Sequence, residues 1–337
     1  MSEINHIWRL RKRPIGDITD DVLSFEEESI PEPADGECLF RLNYLSLDPT
    51  NRIWMSDMDQ YMPPVAIDDP MRGVVCGTVI KSKNTAFKEG DIVSGIGIWA
   101  DYQVASPEAV NLLGDIGSIP VIDAFGTLAL VGPTAYFGLL DITDPQAGES
   151  VVVSAAAGAV GSIVGQIAKI KGCHVVGIAG TDEKCQWITE ELDFDQAINY
   201  KTENVPEALQ RACPDGIDIY FDNVGGDILD ACLKLMNLKG RISTCGLISQ
   251  YNAIEEVPGP KNYPMILMQR LKVQGFIILD YVDRYPEAIA AVSKWMAEGK
   301  IKVRQDVTDG LENALETVKK LYTGANNGKL MIRVKDV

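Results

Sequence analysis

The stretch VVVSAAAGAVGS, Val151 to Ser162, constrains the fold more than any other part of the chain. Three consecutive valines without polar alternation read as a strand buried on both faces. The run that follows, AVGSIVGQIAKIKG, has the apolar spacing of a helix. A strand covered on both faces needs helices on each side, so a doubly wound parallel sheet is expected around it. Gly158 and Gly161 hold the second and third glycine positions of a G-x-G-x-x-G turn, with Ala156 at the first. A glycine at the second position lets the backbone approach a pyrophosphate, and one at the third lets helix and strand pack closely. The first position needs only a tight turn, which alanine serves if its φ is negative. Small residues also occur wherever a helix packs tightly on a strand, but a strand before and an amphipathic helix after favour a dinucleotide turn.

The chain on either side of this turn has two textures. From Cys38 to about Pro120, short apolar runs such as ECLFRLNYLSLD, VVCGTVIKS and WADYQVA are punctuated by Gly, Pro, Asn and Asp, as in a compact β domain. From about Asp123, continuous apolar strands alternate with helical periods. A final helix, YPEAIAAVSKWMAEGK, precedes a tail that ends in the strand-like KLMIRVKDV. The tail is expected to return to the first domain, which makes the nucleotide domain an insertion. The expected division is 1–122, 123–298 and 299–337.

Charge and composition exclude several function classes. Lys and Arg number 31 against 48 Asp and Glu, and a net charge of -17 repels nucleic acid and anionic lipid. The first residues, MSEINHIWRLRKRP, lack an apolar run long enough for a signal peptide, and no later stretch approaches the roughly 18 uninterrupted apolar residues expected of a membrane-spanning helix. A soluble cytoplasmic protein is expected. The 7 cysteines are dispersed without a CxxC pair, which fits reduced thiols. Only 2 histidines, His6 and His174, are present, so histidine catalysis and histidine-rich metal sites have little to work with.

Three further segments sit where ligands bind in such a sheet. The second strand, HVVGIA, ends in Gly180 and Thr181, with Lys184 one turn into the next helix. An acid at this tip would select NAD, and its absence favours NADPH with Lys184 as the phosphate contact. Thr181 can equally serve as a plain helix cap with Asp182 and Glu183 favouring the dipole. The segments YFDNVGG, from Tyr220, and STCGLISQY, from Ser243, put polar groups and glycines at the carboxyl ends of later strands.

Taken together, YLSLDP (44–49), GPTAYFGL (132–139), AAAGAVGS (155–162), AGTDEK (179–184), FDNVGG (221–226), CGLISQYN (245–252) and GPKNYPMILMQRLKVQGFIILDY (259–281) resemble a family. It is the zinc-independent medium-chain dehydrogenase/reductases, in the branch of prostaglandin, leukotriene, alkenal double-bond and curcumin reductases. The resemblance runs from about Cys38 to Val334. It implies an α/β protein in which a GroES-like β-rich domain is joined to a doubly wound Rossmann domain. It also implies NADPH contacts at Gly158, Ala159, Val160 and Gly161, at Thr181, Lys184 and Tyr200, at Asn223, at Cys245, Gly246 and Tyr251, and at Asn326, with Thr134 near the nicotinamide. The zinc ligands of alcohol-dehydrogenase relatives are missing: Cys76, in PMRGVVCGTV, has no histidine beside it.

The activity implied is reduction of a carbon–carbon double bond conjugated to a carbonyl, by hydride addition to the β-carbon. The developing enolate needs a hydrogen-bond donor rather than a Lewis acid, and Tyr251 stands where relatives carry a tyrosine credited with that role. A packing role for Tyr251 is the equal alternative. Relatives follow LSLDP with Tyr-Met-Arg, whereas this chain has Thr50, Asn51 and Arg52, so Trp54, Tyr61 or Tyr281 is expected to line the substrate pocket instead. These aromatics can equally be core residues. Quinone reduction, or NADPH binding without turnover, are the other functions open at this level. Family members are commonly homodimers, and the apolar run FIIL is a candidate strand for pairing two subunits.

Overall fold

The computed structural model describes residues 4–114 and 116–337. The chain divides into two compact units, one of Met1–Ala129 with Gln305–Val337 and one of Leu130–Arg304. The boundaries therefore lie at 129/130 and 304/305 rather than at 122/123 and 298/299. The helix Val121–Leu128 belongs to the first unit, where Phe125 stacks on Tyr44 at 6.5 Å.

In the first unit, β1 (Ile4–Leu10) and β2 (Leu23–Ser29) form a hairpin. The larger sheet holds β3 (Cys38–Ser46), β4 (Arg72–Ser82), β5 (Ile92–Ile98), β6 (Tyr102–Ala105), β7 (Val110–Leu112), β14 (Gln305–Asp309) and β15 (Lys329–Arg333). Its order is β14-β15-β3-β4-β5-β7, with β6 also on β3. The tail strand β15 runs antiparallel to β3, with Met331 opposite Ser46. The helices are α1 (Thr50–Trp54), α2 (Val121–Leu128) and α10 (Ala314–Thr323).

The second unit is a six-stranded, wholly parallel sheet of β8 (Ser150–Ser154), β9 (His174–Ala179), β10 (Gln196–Asn199), β11 (Ile217–Asp222), β12 (Met236–Thr244) and β13 (Lys272–Gly275). The order is β10-β9-β8-β11-β12-β13. The connecting helices are α3 (Val131–Thr143), α4 (Ala159–Ile170), α5 (Asp182–Glu190), α6 (Val205–Ala212), α7 (Gly226–Leu235), α8 (Pro264–Met268) and α9 (Tyr285–Ala297). Val151, Val152 and Val153 are fully buried, because successive residues of β8 face opposite layers and both layers are covered. On one face Val152, Val176, Ile198, Tyr220 and Ile242 pack with Leu209 and Leu233 of α6 and α7. The chain leaves β8 to build β9 on one side and later returns to build β11 on the other. The carboxyl end of β8 is thus the switch point at which such sheets bind ligands.

Two expectations need correction. The run FIIL is not a strand: pairing ends at Gly275, and Ile278–Arg284 is a 3-10 helix. Phe276 instead fills the space over Gly138 of α3, where an added Cβ would lie 2.4 Å from its ring. Secondly, the stretch Val121–Thr143 is long and apolar enough to cross a membrane. Leu130, at φ -142°, separates it into α2 and α3, and 72% of its most apolar window is buried in the protein, which accounts for its composition.

Candidate functional site

The turn after β8 is built differently from its sequence pattern. Its left-handed residue is Ala155, at φ 48°, whereas Ala156 is not in the left-handed region. A non-glycine residue there costs about 1–2 kcal/mol. The Ala156 amide bonds Ile178 O at 3.0 Å and the Gly158 amide bonds Ala155 O at 2.9 Å, which closes the turn. A Cβ on Gly161 would lie 2.4 Å from Ala155 O, so the close approach of α4 to β8 requires glycine at 161. A Cβ on Gly158 would meet only Ala155 O, at 3.1 Å. Gly158 is the N-cap of α4 and no side chain caps this end. Gly158, Ala159 and Val160 are half-buried, and the first turn of the helix carries no acid. An uncapped, partly exposed helix N-terminus at a switch point suits an anion.

At the tip of β9, Thr181 caps α5 by accepting a hydrogen bond from the Lys184 amide at 3.2 Å. Gly180 lies under the Tyr200 ring, whose Cε1 would be 3.0 Å from a Cβ at that position. Asp182, the acid nearest the tip, accepts a 2.6 Å bond from Asn199 Nδ2. Asn199 is only 5% exposed, so this carboxylate is committed to the framework. Beside the exposed Tyr200 ring stands Lys201, whose ammonium lies 5.9 Å from the ring centroid, and Lys184, half-buried, lies in the first turn of α5. Lys201 escaped the sequence reading, and the dipeptide that signals it is Tyr200-Lys201.

At the ends of β11 and β12 a dense network fixes the next two turns. Asp222 Oδ1 accepts from the Tyr220 hydroxyl at 2.8 Å, the Val224 amide at 3.0 Å and the Gly225 amide at 2.8 Å. Burial pushes the Asp222 carboxyl up in spite of these donors. The Cys245 and Gly246 amides bond Asp222 O at 2.8 and 3.1 Å, and the Ile248 amide bonds Asn223 O at 3.3 Å. Tyr251 curls back over this loop: its hydroxyl oxygen accepts the Leu247 amide at 3.0 Å, and a Cβ on Gly246 would lie 3.3 Å from that oxygen. Burial drives the Cys245 thiol up to about 12, so this side chain packs as an uncharged group. On α3, the Thr134 hydroxyl donates to Leu130 O at 2.7 Å, which leaves it acceptor capacity only. Asn223, Cys245, Gly246 and Tyr251 are thus gathered at one end of the sheet. Tyr281 is held in an aromatic stack, 4.6 Å from Phe137, with the Arg284 guanidinium 5.9 Å from its own ring centroid.

The remaining expected residues belong to the first unit. The departure from the family motif at Thr50 and Asn51 is structural in part. Asn51 is fully buried, accepts the Asp48 amide at 2.8 Å and donates to Arg72 O at 3.3 Å. Arg52, also buried, donates to Pro14 O and Gly16 O, each at 3.1 Å. Asp48 pairs with buried Lys329 of β15 at 2.5 Å. The Thr50 hydroxyl hydrogen-bonds the Tyr61 hydroxyl, beside the buried Trp54 ring, over which the Arg72 guanidinium lies 5.6 Å from the centroid. Asn326 donates to Gly328 O at 3.0 Å within its own loop. Cys76 is fully buried, with burial pushing its thiol to about 12. Among the described residues, no three His, Cys, Asp or Glu side chains gather as a metal-binding group.

Two family models match the chain: an N-terminal domain of oxidoreductase over residues 6–113 and a zinc-binding dehydrogenase over residues 159–294. The chain is 45% identical over 335 residues to the NADPH-dependent curcumin reductase of Escherichia coli, covering 98% of this chain and 97% of that protein. It is 40% identical over 331 residues to prostaglandin reductase 1 of Bos taurus, covering 97% and 98%. It is 40% identical over 293 residues to a 2-alkenal reductase (NADP(+)-dependent) of Nicotiana tabacum, covering 86% and 85%. Among solved structures, CurA from Vibrio vulnificus in complex with NADPH superposes with a TM-score of 0.92 at 43% identity, covering 98% of this chain and all of that one. The chain belongs to the medium-chain dehydrogenase/reductase family, in the zinc-independent branch that holds the curcumin, prostaglandin and 2-alkenal reductases.

Proposed function

We propose that this chain is a cytoplasmic NADPH-dependent reductase of carbon–carbon double bonds conjugated to a ketone or aldehyde carbonyl. The observation that carries the cofactor assignment is the uncapped N-terminus of α4 at Gly158, at the switch point of the sheet and free of first-turn acids. A pyrophosphate there is matched by the amides of Ala159, Val160 and Gly161. At the adenosine end, Thr181, Lys184, Tyr200 and Lys201 match a 2′-phosphate, because Asp182 is committed to Asn199. The reaction class is supported by the relatives named as curcumin and 2-alkenal reductases.

When bound, NADPH supplies the hydride that adds to the β-carbon of the enone. Tyr251 donates a hydrogen bond to the developing enolate oxygen; its hydroxyl already accepts the Leu247 amide, which polarises it as a donor. Solvent water then protonates the α-carbon, and no metal takes part. Thr134, whose hydroxyl keeps acceptor capacity, would lie near the nicotinamide, and Cys245 and Gly246 would pack along the cofactor. On the first unit Asn326 would be a further cofactor contact and Tyr61, 40% exposed, a substrate contact, whereas Trp54 is 3% exposed and packs in the core; on the second unit Tyr281 would be a substrate contact. The edge strand β13, with Val273 45% exposed, supports pairing of two copies into a homodimer.

The test is NADPH and NADH consumption against parallel panels of enones, enals and simple quinones. Rapid, NADPH-selective turnover of enones is expected. NADPH loss with quinones alone assigns quinone reduction instead, and tight binding without turnover on either panel removes the enzymatic assignment.

A further inference from the structure

Asn223 is held from every side but one. Its main-chain amide donates to Ser154 Oγ at 2.9 Å, its carbonyl accepts the Ile248 amide at 3.3 Å, and its Nδ2 donates to Ser154 O at 2.7 Å. A carbonyl only accepts, so the nitrogen end of the carboxamide must face Ser154, and the oxygen end must face away. Among the described residues Oδ1 has no protein partner, and the residue is half-buried at the carboxyl end of the sheet. The neighbours of Asn223 are fixed as well: Val224 and Gly225 are tied to Asp222 Oδ1, and Ser154 is fully buried, its hydroxyl 3.3 Å from Phe221 O. The carboxamide therefore cannot turn over without losing a buried bond. Strand order decides which part of a dinucleotide it meets. β9, which carries the Thr181 tip, flanks β8 on one side, and β11 flanks it on the other. Asn223 thus lies on the side away from the adenosine end.

We propose that Ser154 is a positioning residue that locks Asn223 so that its carboxamide oxygen accepts a hydrogen bond from a ribose hydroxyl on the nicotinamide side of the dinucleotide, an inference that rests on the NADPH assignment above. An acceptor at this position discriminates for a hydroxyl and against a phosphate or carboxylate. It also orients the ribose that carries the hydride-donating ring.

The experiment compares two ligands by titration calorimetry: NADPH, and adenosine 2′,5′-bisphosphate, which keeps the adenosine end but lacks the nicotinamide ribose. Ser154→Ala and Asn223→Ala are the variants, the second guarding against a folding defect in the first, and both are measured well below their melting temperatures. NADPH affinity is expected to fall about tenfold in Asn223→Ala, as for one hydrogen bond left unmade, and about fivefold in Ser154→Ala, which removes only the hydroxyl that holds the Asn223 main-chain amide and keeps Ser154 O on Nδ2. Affinity for the bisphosphate is expected to stay within about twofold. Parallel loss for both ligands means general damage to the sheet and overturns the proposal, as does unchanged NADPH affinity. Wild-type protein that binds neither ligand overturns the NADPH assignment itself, and the role of Ser154 with it.

Discussion

A Cβ placed on Gly177 of β9 would lie 2.9 Å from the Cβ of Ala156, so the alanine in the dinucleotide turn is accommodated by a glycine on the neighbouring strand. The same added atom would come within 2.4 Å of Ile188 Cδ1. Gly177→Ala overpacks this seam and is expected to cost about 1–3 kcal/mol. Ala156→Gly loosens it and costs about 0.5–1 kcal/mol through added chain freedom. Because the two positions touch, the double variant is expected to be more stable than the sum of the single losses. Thermal melts of the four proteins check this, and strict additivity would contradict it.

Cofactor choice is expected to follow the lysines and not the nearby acid. Lys184→Ala lowers NADPH affinity about tenfold or more and leaves NADH within about twofold, since only the 2′-phosphate loses a charge-assisted bond. Asp182→Asn leaves the preference for NADPH intact, because its carboxylate is taken up by Asn199. Equal losses for both cofactors in Lys184→Ala would place the phosphate elsewhere.

Glu149 links stability to pH. Burial pushes its carboxyl up, but hydrogen bonds from Arg241, at 2.8 and 2.6 Å, and from the Gln146 amide outweigh that and hold it below the usual range. The folded value lies under the unfolded one, about 4.3. The stabilisation is therefore complete above that pH and is lost as pH falls through the folded value. Glu149→Gln is expected to melt below wild type at pH 7, with the gap closing towards pH 3. A gap of constant size across that range would show that the pair adds no pH-dependent stability.

The thiols are expected to be inert in the folded protein. Burial pushes Cys76, Cys213 and Cys245 to about 12 and Cys173 and Cys185 to about 11, so the thiolate fraction at pH 8 is very small. Iodoacetamide at pH 8 should leave the native chain unmodified over minutes and label all 7 cysteines in denaturant, as read by intact mass.

Much of the nucleotide-binding unit is legible in the sequence because its signals are local. The valine run of β8 and the glycines at 158 and 161 report directly on two-sided burial and close backbone approach. What is not legible depends on distant partners. Ser154 reads as an ordinary polar residue at a strand end, yet its role comes from Asn223, 69 residues away. The FIIL run looks like a strand because Phe276 is apolar, but its apolarity serves a seat on Gly138 in another helix. Ala155 takes the left-handed position although a neighbouring residue fits the motif, since the Gly158 amide needs a carbonyl in that place. Asp182 resembles a ribose acid until Asn199 is seen to hold it.

The most direct measurement follows the hydride. With NADPH deuterated at the transferred position and an unsaturated ketone as substrate, the product is analysed by proton and deuterium NMR. The account predicts a saturated ketone with deuterium on the β-carbon and solvent hydrogen on the α-carbon. An allylic alcohol with deuterium on the former carbonyl carbon, or no transfer to any enone while quinones are reduced, would contradict it.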